Sequence, residues 1–221
     1  MEMKTDCARC SSFKCYREET NQAPENCPMV RHSDAVKRAL KTYEESETKE
    51  FAKEASIQEY ECYMNLPEGR TPRNPRVEEV AQFAKKLGYK RLGIAFCVGL
   101  RNEALTLTDI LENRGFDVVS VCCKAGSVPK EQIGVSREQK IAGPDVREAM
   151  CNPIAQAQIL NDEETDFNIA VGLCVGHDSL FFRHCKAPVT VLIAKDRVFG
   201  HNPAAGLYLS DSYYSKLKRK E

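Results

Sequence analysis

Four short, almost unbroken apolar runs constrain this chain more than any other feature. They occupy residues 92–97, 116–122, 167–175 and 188–194, the first reading Leu-Gly-Ile-Ala-Phe-Cys. A strand with one wet face alternates apolar and polar residues, whereas a strand covered on both faces does not. Helical periodicity fills the intervals. Val77, Val80, Ala84 and Leu87 share one face before Gly88, and Ala104, Leu107 and Leu111 share another within 101–114 before Gly115. Asn152-Pro153 opens a further helix with a cap and a first-turn proline. Residues 177–185 form a short helix, and Asn202-Pro203 opens the last one. Strands alternating with helices predict a parallel sheet with helices on both sides. The expected architecture over 75–221 is therefore α/β, doubly wound and Rossmann-like, with a mostly parallel sheet of about four strands.

Two segments precede it. Residues 31–66 lack Gly and Pro and carry Val36, Leu40 and Tyr43 at helical spacing, with Ser33 as a candidate cap, so one or two helices are expected. Residues 66–75 read as a linker by composition, which makes 31–74 a helical segment plus linker. Residues 1–30 hold Cys7, Cys10, Cys15 and Cys27 in a polar head with little core of its own.

Charge excludes some functions. Lys+Arg is 32 and Asp+Glu is 32, so the net charge is +0, which argues against nucleic acid and anionic lipid as partners. No apolar run approaches the roughly 18 residues of a membrane span. The start, Met1-Glu2-Met3-Lys4, lacks the apolar core of a signal peptide, so the cytoplasm is the expected compartment. There, clustered cysteines bind metal or react more often than they pair, and this chain has 11.

In the head, Cys7-x2-Cys10-x4-Cys15-x11-Cys27 supplies four thiolates within one short segment. A tight C-x2-C turn brings two sulfurs to one side, and two more complete a site for zinc or an iron–sulfur cluster. The spacing matches neither a zinc ribbon nor a plant-type ferredoxin, so both metals stay open.

In the body, Cys97 ends the first run, Cys122-Cys123 the second, and Cys174 lies near the end of the third. Open parallel sheets bind ligands outside the carboxyl ends of their strands. Cys151, just before Asn152-Pro153, adds a thiol at a helix start, where backbone N–H groups favour thiolate. Cys97, Cys123, Cys151 and Cys174 are thus expected to surround one site, with Cys185 in reserve. Adjacent strand residues face opposite ways, and Cys123 is chosen over Cys122 because Lys124 and Gly126 follow it. His177, with Asp178 beside it, is a candidate proton donor or metal ligand at the rim. Lys195-Asp196-Arg197 and Gly200-His201 add polar groups at the same edge. No Gly-x-Gly-x-x-Gly follows the first run, and a lone Gly99 is weak evidence for a dinucleotide.

The head cysteines, Gly93-Ile94-Ala95-Phe96-Cys97-Val98-Gly99-Leu100, Cys123-Lys124, Cys151-Asn152-Pro153 and Gly172-Leu173-Cys174-Val175-Gly176-His177-Asp178-Ser179 together resemble one family across nearly the whole chain. It is a domain-of-unknown-function family of cysteine-rich proteins from anaerobic bacteria and methanogenic archaea. The resemblance implies metal binding and names no substrate.

Three readings follow. The first is a metal-binding protein, iron–sulfur of the four-iron kind, with one site in the head and one at the sheet edge. Passing electrons to a redox partner or small-molecule substrate, with protons from His177 and Asp178, would make it a redox enzyme. The second is a zinc-stabilised thiol enzyme with Cys151 as nucleophile and His177 as base. The third is a nucleotide or small-molecule binding module using Gly99, Lys124 and Gly176, with structural zinc in the head.

Overall fold

The computed structural model describes residues 4–17, 19 and 22–220; residues 1–3, Glu18, Thr20, Asn21 and Glu221, within the expected head and charged tail, lie outside it. The chain divides into two compact units, Met1–Glu61 and Cys62–Glu221.

In the first unit, short 3-10 turns at Cys7–Arg9 and Lys14–Arg17 lead to α1 (Pro28–Arg31), α2 (Ser33–Thr42) and α3 (Ser46–Glu61). Pro28 opens α1 directly after Cys27, where its missing N–H costs nothing. Val36, Leu40 and Tyr43 do recur along α2, yet all three are exposed. Gln58 is the single buried side chain among the unit's described residues.

The second unit opens with an antiparallel hairpin, β1 (Tyr63–Leu66) and β2 (Gly69–Pro72), where composition suggested a linker. Leu66 pairs with Gly69, so Pro67 and Glu68 form a two-residue turn. Pro67 presets the turn geometry and Gly69 takes a φ of 131°, so the residues that read as breakers make a tight reversal.

Next come α4 (Arg76–Lys86), β3 (Arg91–Phe96), α5 (Arg101–Glu112), β4 (Asp117–Cys122), α6 (Pro153–Asp162), β5 (Phe167–Val171), α7 (His177–His184), β6 (Val189–Ile193) and α8 (Ala204–Tyr208). The four strands β4-β3-β5-β6 form one sheet in that order, parallel throughout. The chain steps from β3 to β4 on one side and returns to β5 on the other. With right-handed crossovers, that reversal sends α5 to one face and α6 and α7 to the other.

The core follows this split. Leu92, Ile94, Ile169 and Val171 pack with Val80, Ala84, Leu107 and Leu111 of α4 and α5. Ala95 and Ala170, one residue out of phase, pack with Ala157, Leu160 and Phe181 of α6 and α7. The sheet is thus covered on both faces, as the unbroken apolar runs require. Ile94 is fully buried, and Ile94→Ala is expected to cost about 2–5 kcal/mol. Gly93 lets the layers close: a Cβ there would lie 2.0 Å from Asn168 Oδ1 and 3.0 Å from Leu160.

Helix ends are closed locally. After α4, Gly88 N–H bonds Lys85 O at 3.0 Å and Tyr89 N–H bonds Ala84 O at 3.0 Å, the paired closure that a left-handed glycine permits. β5 is shorter than its 167–175 apolar run, because Gly172 turns the chain at φ 66° after Val171. Gly176 precedes α7 without any side-chain cap, and Asp178 accepts Ser179 N–H at 2.7 Å. Asp178 and Ser179 thus lie inside the first turn of α7 and do not cap it.

Candidate functional site

Strand order reverses between β3 and β5, and the carboxyl ends of these neighbours define the crevice where open α/β sheets bind ligands. Three cysteines reach this edge on three segments. The ladder runs one residue past the strands: Cys97 N–H donates to Val171 O at 3.0 Å and Cys123 N–H to Phe96 O at 2.8 Å. Cys123 O accepts Asn152 N–H at 2.7 Å, which brings the end of the 124–151 loop back to β4. Asn152 then caps α6, its Oδ1 accepting Ala155 N–H at 3.1 Å. Cys151 is thereby fixed beside Cys123. Cys123 is buried and Cys122 only half-buried, as alternation along the chain dictates.

One residue that the sequence reading passed over supports this arrangement. Gln156 of α6 is fully buried, and its amide donates to Phe96 O at 3.2 Å and Val121 O at 2.7 Å. It ties together the last turns of β3 and β4. A lone glutamine between Ala155 and Ala157 on an otherwise apolar helix face is the signal that could have revealed it.

The sulfurs form a row, with Cys123 hydrogen-bonded to Cys97 on one side and to Cys151 on the other. Cys123 carries one S–H, which it can give to either neighbour, so the shared proton favours thiolate at the outer sulfurs. Cys97 is lowered to about 5 by Cys123 first, against the opposing effect of burial, then by Gly99 N–H and Lys195. Cys151 is also lowered to about 5, by Cys123, then by the charges of Lys124 and His177, again against burial. Cys123 is pushed far up by its two sulfur partners and by burial, although it accepts Val98 N–H at 3.3 Å. Lys124 Nζ lies 3.6 Å from Cys151 Sγ and is anchored on Ala149 O at 2.6 Å.

The other candidates fall around this row. Cys174 is three residues beyond the end of β5, and its sulfur accepts from Arg197 Nη2 at 3.1 Å. Its described partner is thus a guanidinium and not a thiol of the row. His177 acts on Cys151 through its charge, and its Nδ1 is buried without a hydrogen-bond partner. Asp178 is turned to Ser179. Gly99 supplies its N–H to Cys97, and Gly176 gives α7 its left-handed start at φ 83°. Cys185 belongs elsewhere: it bonds Asn168, near the amino end of β5, and burial pushes its thiol up to about 11.

In the first unit, all four head cysteines, Cys7, Cys10, Cys15 and Cys27, line one cavity of about 100 Å³ with Asp6, Phe13 and Met29. The Cys10 thiol is held low by Phe13 N–H and by the Ser12 hydroxyl and N–H. N–H groups directed at sulfur stabilise thiolate and support metal-bound sulfur in the same way.

The donor chemistry at both places fits a soft, thiolate-bound metal or cluster. The body row brings three sulfurs together with cations beside the outer two, and the head gathers four sulfurs on one cavity. The sulfurs are not closed around a common centre: among the described residues, no group of three or more His, Cys, Asp or Glu side chains is arranged to hold a metal ion. Among the same residues, no helix is long and apolar enough to cross a membrane.

Fold and site together define a Rossmann-like α/β protein with a cysteine row at the carboxyl edge of its sheet. The chain belongs to the family described as "Protein of unknown function (DUF1847)", whose profile matches residues 27–192. It is also 40% identical over 210 residues to the uncharacterized protein MJ0455 of Methanocaldococcus jannaschii, covering 95% of this chain and 96% of that protein. The expected family resemblance is borne out on both counts.

Proposed function

We propose that this chain is a cytoplasmic metal–thiolate protein with redox capacity, carrying an iron–sulfur cluster at the sheet edge and a second thiolate site in the head. The observation that carries the reading is the convergence of Cys97, Cys123 and Cys151, from three separate segments, at the point where strand order reverses. Buried free cysteines usually pack singly as small hydrophobes; a row with lysines at its outer sulfurs serves no packing need. Cys97, Cys123 and Cys151 would hold the body cluster, with Cys174 or an exogenous group completing it. Cys7, Cys10, Cys15 and Cys27 would hold zinc or a cluster in the head. A bound cluster supplies one-electron chemistry and, at an iron not held by cysteine, a Lewis acid. The chain's own residues supply Lys124, Lys195 and Gly99 N–H to set the charge around the sulfurs. The cysteines of the body row and the head carry free thiols, which suits a reducing compartment.

The test is iron, zinc and acid-labile sulfide per chain, with an absorption spectrum, on protein purified without oxygen. Iron and sulfide near four each, lost in Cys97→Ser and kept in Cys15→Ser, is the expected result for a body cluster of the four-iron kind. Zinc near one with no iron would move the function to thiol chemistry. That second reading has its own support, because Cys151 lies low beside His177; its mark would be rapid alkylation of Cys151 with Cys97 inert.

A further inference from the structure

We propose that the same sheet edge binds a small oxyanion, a carboxylate or a phosphate, between the cysteine row and the side chains of Lys124, Lys195, Arg197 and His177. This deepens the metal–thiolate reading and rests on it for the identity of the functional edge. The cations arrive from separate segments: Lys124 after β4, His177 at the start of α7, and Lys195 and Arg197 after β6. Their partners in the fold are sulfurs and a carbonyl. Lys195 bonds Cys97, Lys124 bonds Cys151 and Ala149 O, and Arg197 bonds Cys174.

The nearby acids are committed to the backbone. Asp196, between Lys195 and Arg197, accepts Val198 N–H and Phe199 N–H at 2.8 Å each. Asp178, beside His177, accepts Ser179 N–H. Among the described residues, Lys124, Lys195 and Arg197 form no ion pair with a carboxylate. An ammonium carries three N–H donors and a guanidinium five, more than the sulfur and carbonyl partners here use. Arg197 offers the planar fork that matches a carboxylate or phosphate through two parallel N–H donors. His177 adds an independent sign, because its Nδ1 is buried with no partner, a state that costs free energy until an acceptor or donor meets it.

The experiment compares iodoacetate with iodoacetamide on the reduced, metal-free full chain, with modification at Cys97 and Cys151 read by peptide mass spectrometry. Both reagents attack thiolate, so their ratio cancels the ionisation of the thiol and reports attraction of an anion. The expected ratio is roughly tenfold or more above that of the same chain in urea, the scale on which a cation-lined cleft concentrates an anion. It should fall to the urea value in the Lys195→Gln/Arg197→Gln double variant. Succinate and inorganic phosphate should slow iodoacetamide in the unaltered protein, and the better protector names the ligand class. A native ratio equal to the urea value, with neither anion protecting, would overturn the site. Metal content of the protein purified without oxygen, measured before the metal is removed, separates the two ideas. Bound metal without anion preference sinks only the oxyanion site; anion preference in a chain that never carries metal sinks only the metal reading.

Discussion

At the scale of single residues, Cys123 is the pivot of the row, because it is the largest single influence holding either outer thiol low. In the metal-free protein, Cys97 and Cys151 should react with iodoacetamide at a rate nearly level from pH 8 down to about 5, then falling. Cys123, pushed up, should stay unmodified well past neutrality. The linkage has a definite sign. The two outer thiols have folded values below their ordinary 9.0, so their contribution is full above pH 9 and is lost as pH falls towards about 5. Urea midpoints of the metal-free chain should therefore rise between pH 5 and pH 8, and Cys123→Ala should flatten that rise. Gln156 is the second residue with a sharp consequence. Gln156→Ala removes one hydrogen bond from each of the carbonyls of Phe96 and Val121, and Phe96 O keeps its bond from Cys123 N–H. It should cost about 1–3 kcal/mol in urea unfolding, given about 0.5–1.5 kcal/mol for each hydrogen bond lost. A loss under ~0.5 kcal/mol would show that water reaches these carbonyls.

Among elements, α6 ends in a way its sequence does not announce. Glu164 N–H bonds Asn161 O and Thr165 N–H bonds Leu160 O, both at 3.2 Å, with Glu164 at φ 51°. Gly88 makes the same closure after α4 without penalty, whereas a side chain in this region costs about 1–2 kcal/mol. Glu164→Gly should accordingly raise the thermal midpoint, by a net amount of up to about 1 kcal/mol after the extra chain entropy of glycine. A lower midpoint would mean that Glu164 makes compensating contacts. The four strands and α6 were legible because their signals are local: continuous apolar runs, and Asn152-Pro153 at a helix start. The β1–β2 hairpin was hidden because Pro67 and Gly69 look alike in a loop and in a two-residue turn. Three of the four body cysteines were brought together as the topology implied. Cys174 was harder to place, because its position depends on Gly172 turning the chain two residues earlier, and the apolar run continues through that turn. The cations on the row could be named from sequence, but their pairing with particular sulfurs could not, since Lys195 reaches Cys97 across nearly a hundred residues.

For the whole molecule, the contrast between units matters most. Every buried apolar side chain among the described residues belongs to the second unit. The first unit gathers its four cysteines on one cavity without burying an apolar side chain. Its order should depend on what those sulfurs bind, since a structural metal can contribute roughly 10–16 kcal/mol at neutral pH. Hydrogen exchange should show this. Removing metal with a chelator should speed exchange across residues 4–61 and leave β3 and β5 protected. Equal protection before and after chelation, on protein shown to contain head metal, would contradict it.

The strand order also carries a consequence for synthesis. β3 pairs with β4 on one edge and with β5 on the other, yet residues 123–166 separate the end of β4 from the start of β5. On the ribosome, the second edge of β3 stays open while that stretch is made, roughly 2–9 s at typical elongation rates. Early in that interval, before residues 151 and 152 are made, Cys97 and Cys123 can meet without Cys151 and the cap that fixes it. A nascent chain exposed to oxidant in that window would lock these two sulfurs into a cross-link before the third arrives, so anaerobic translation should yield more competent protein than anaerobic purification of chains made in air.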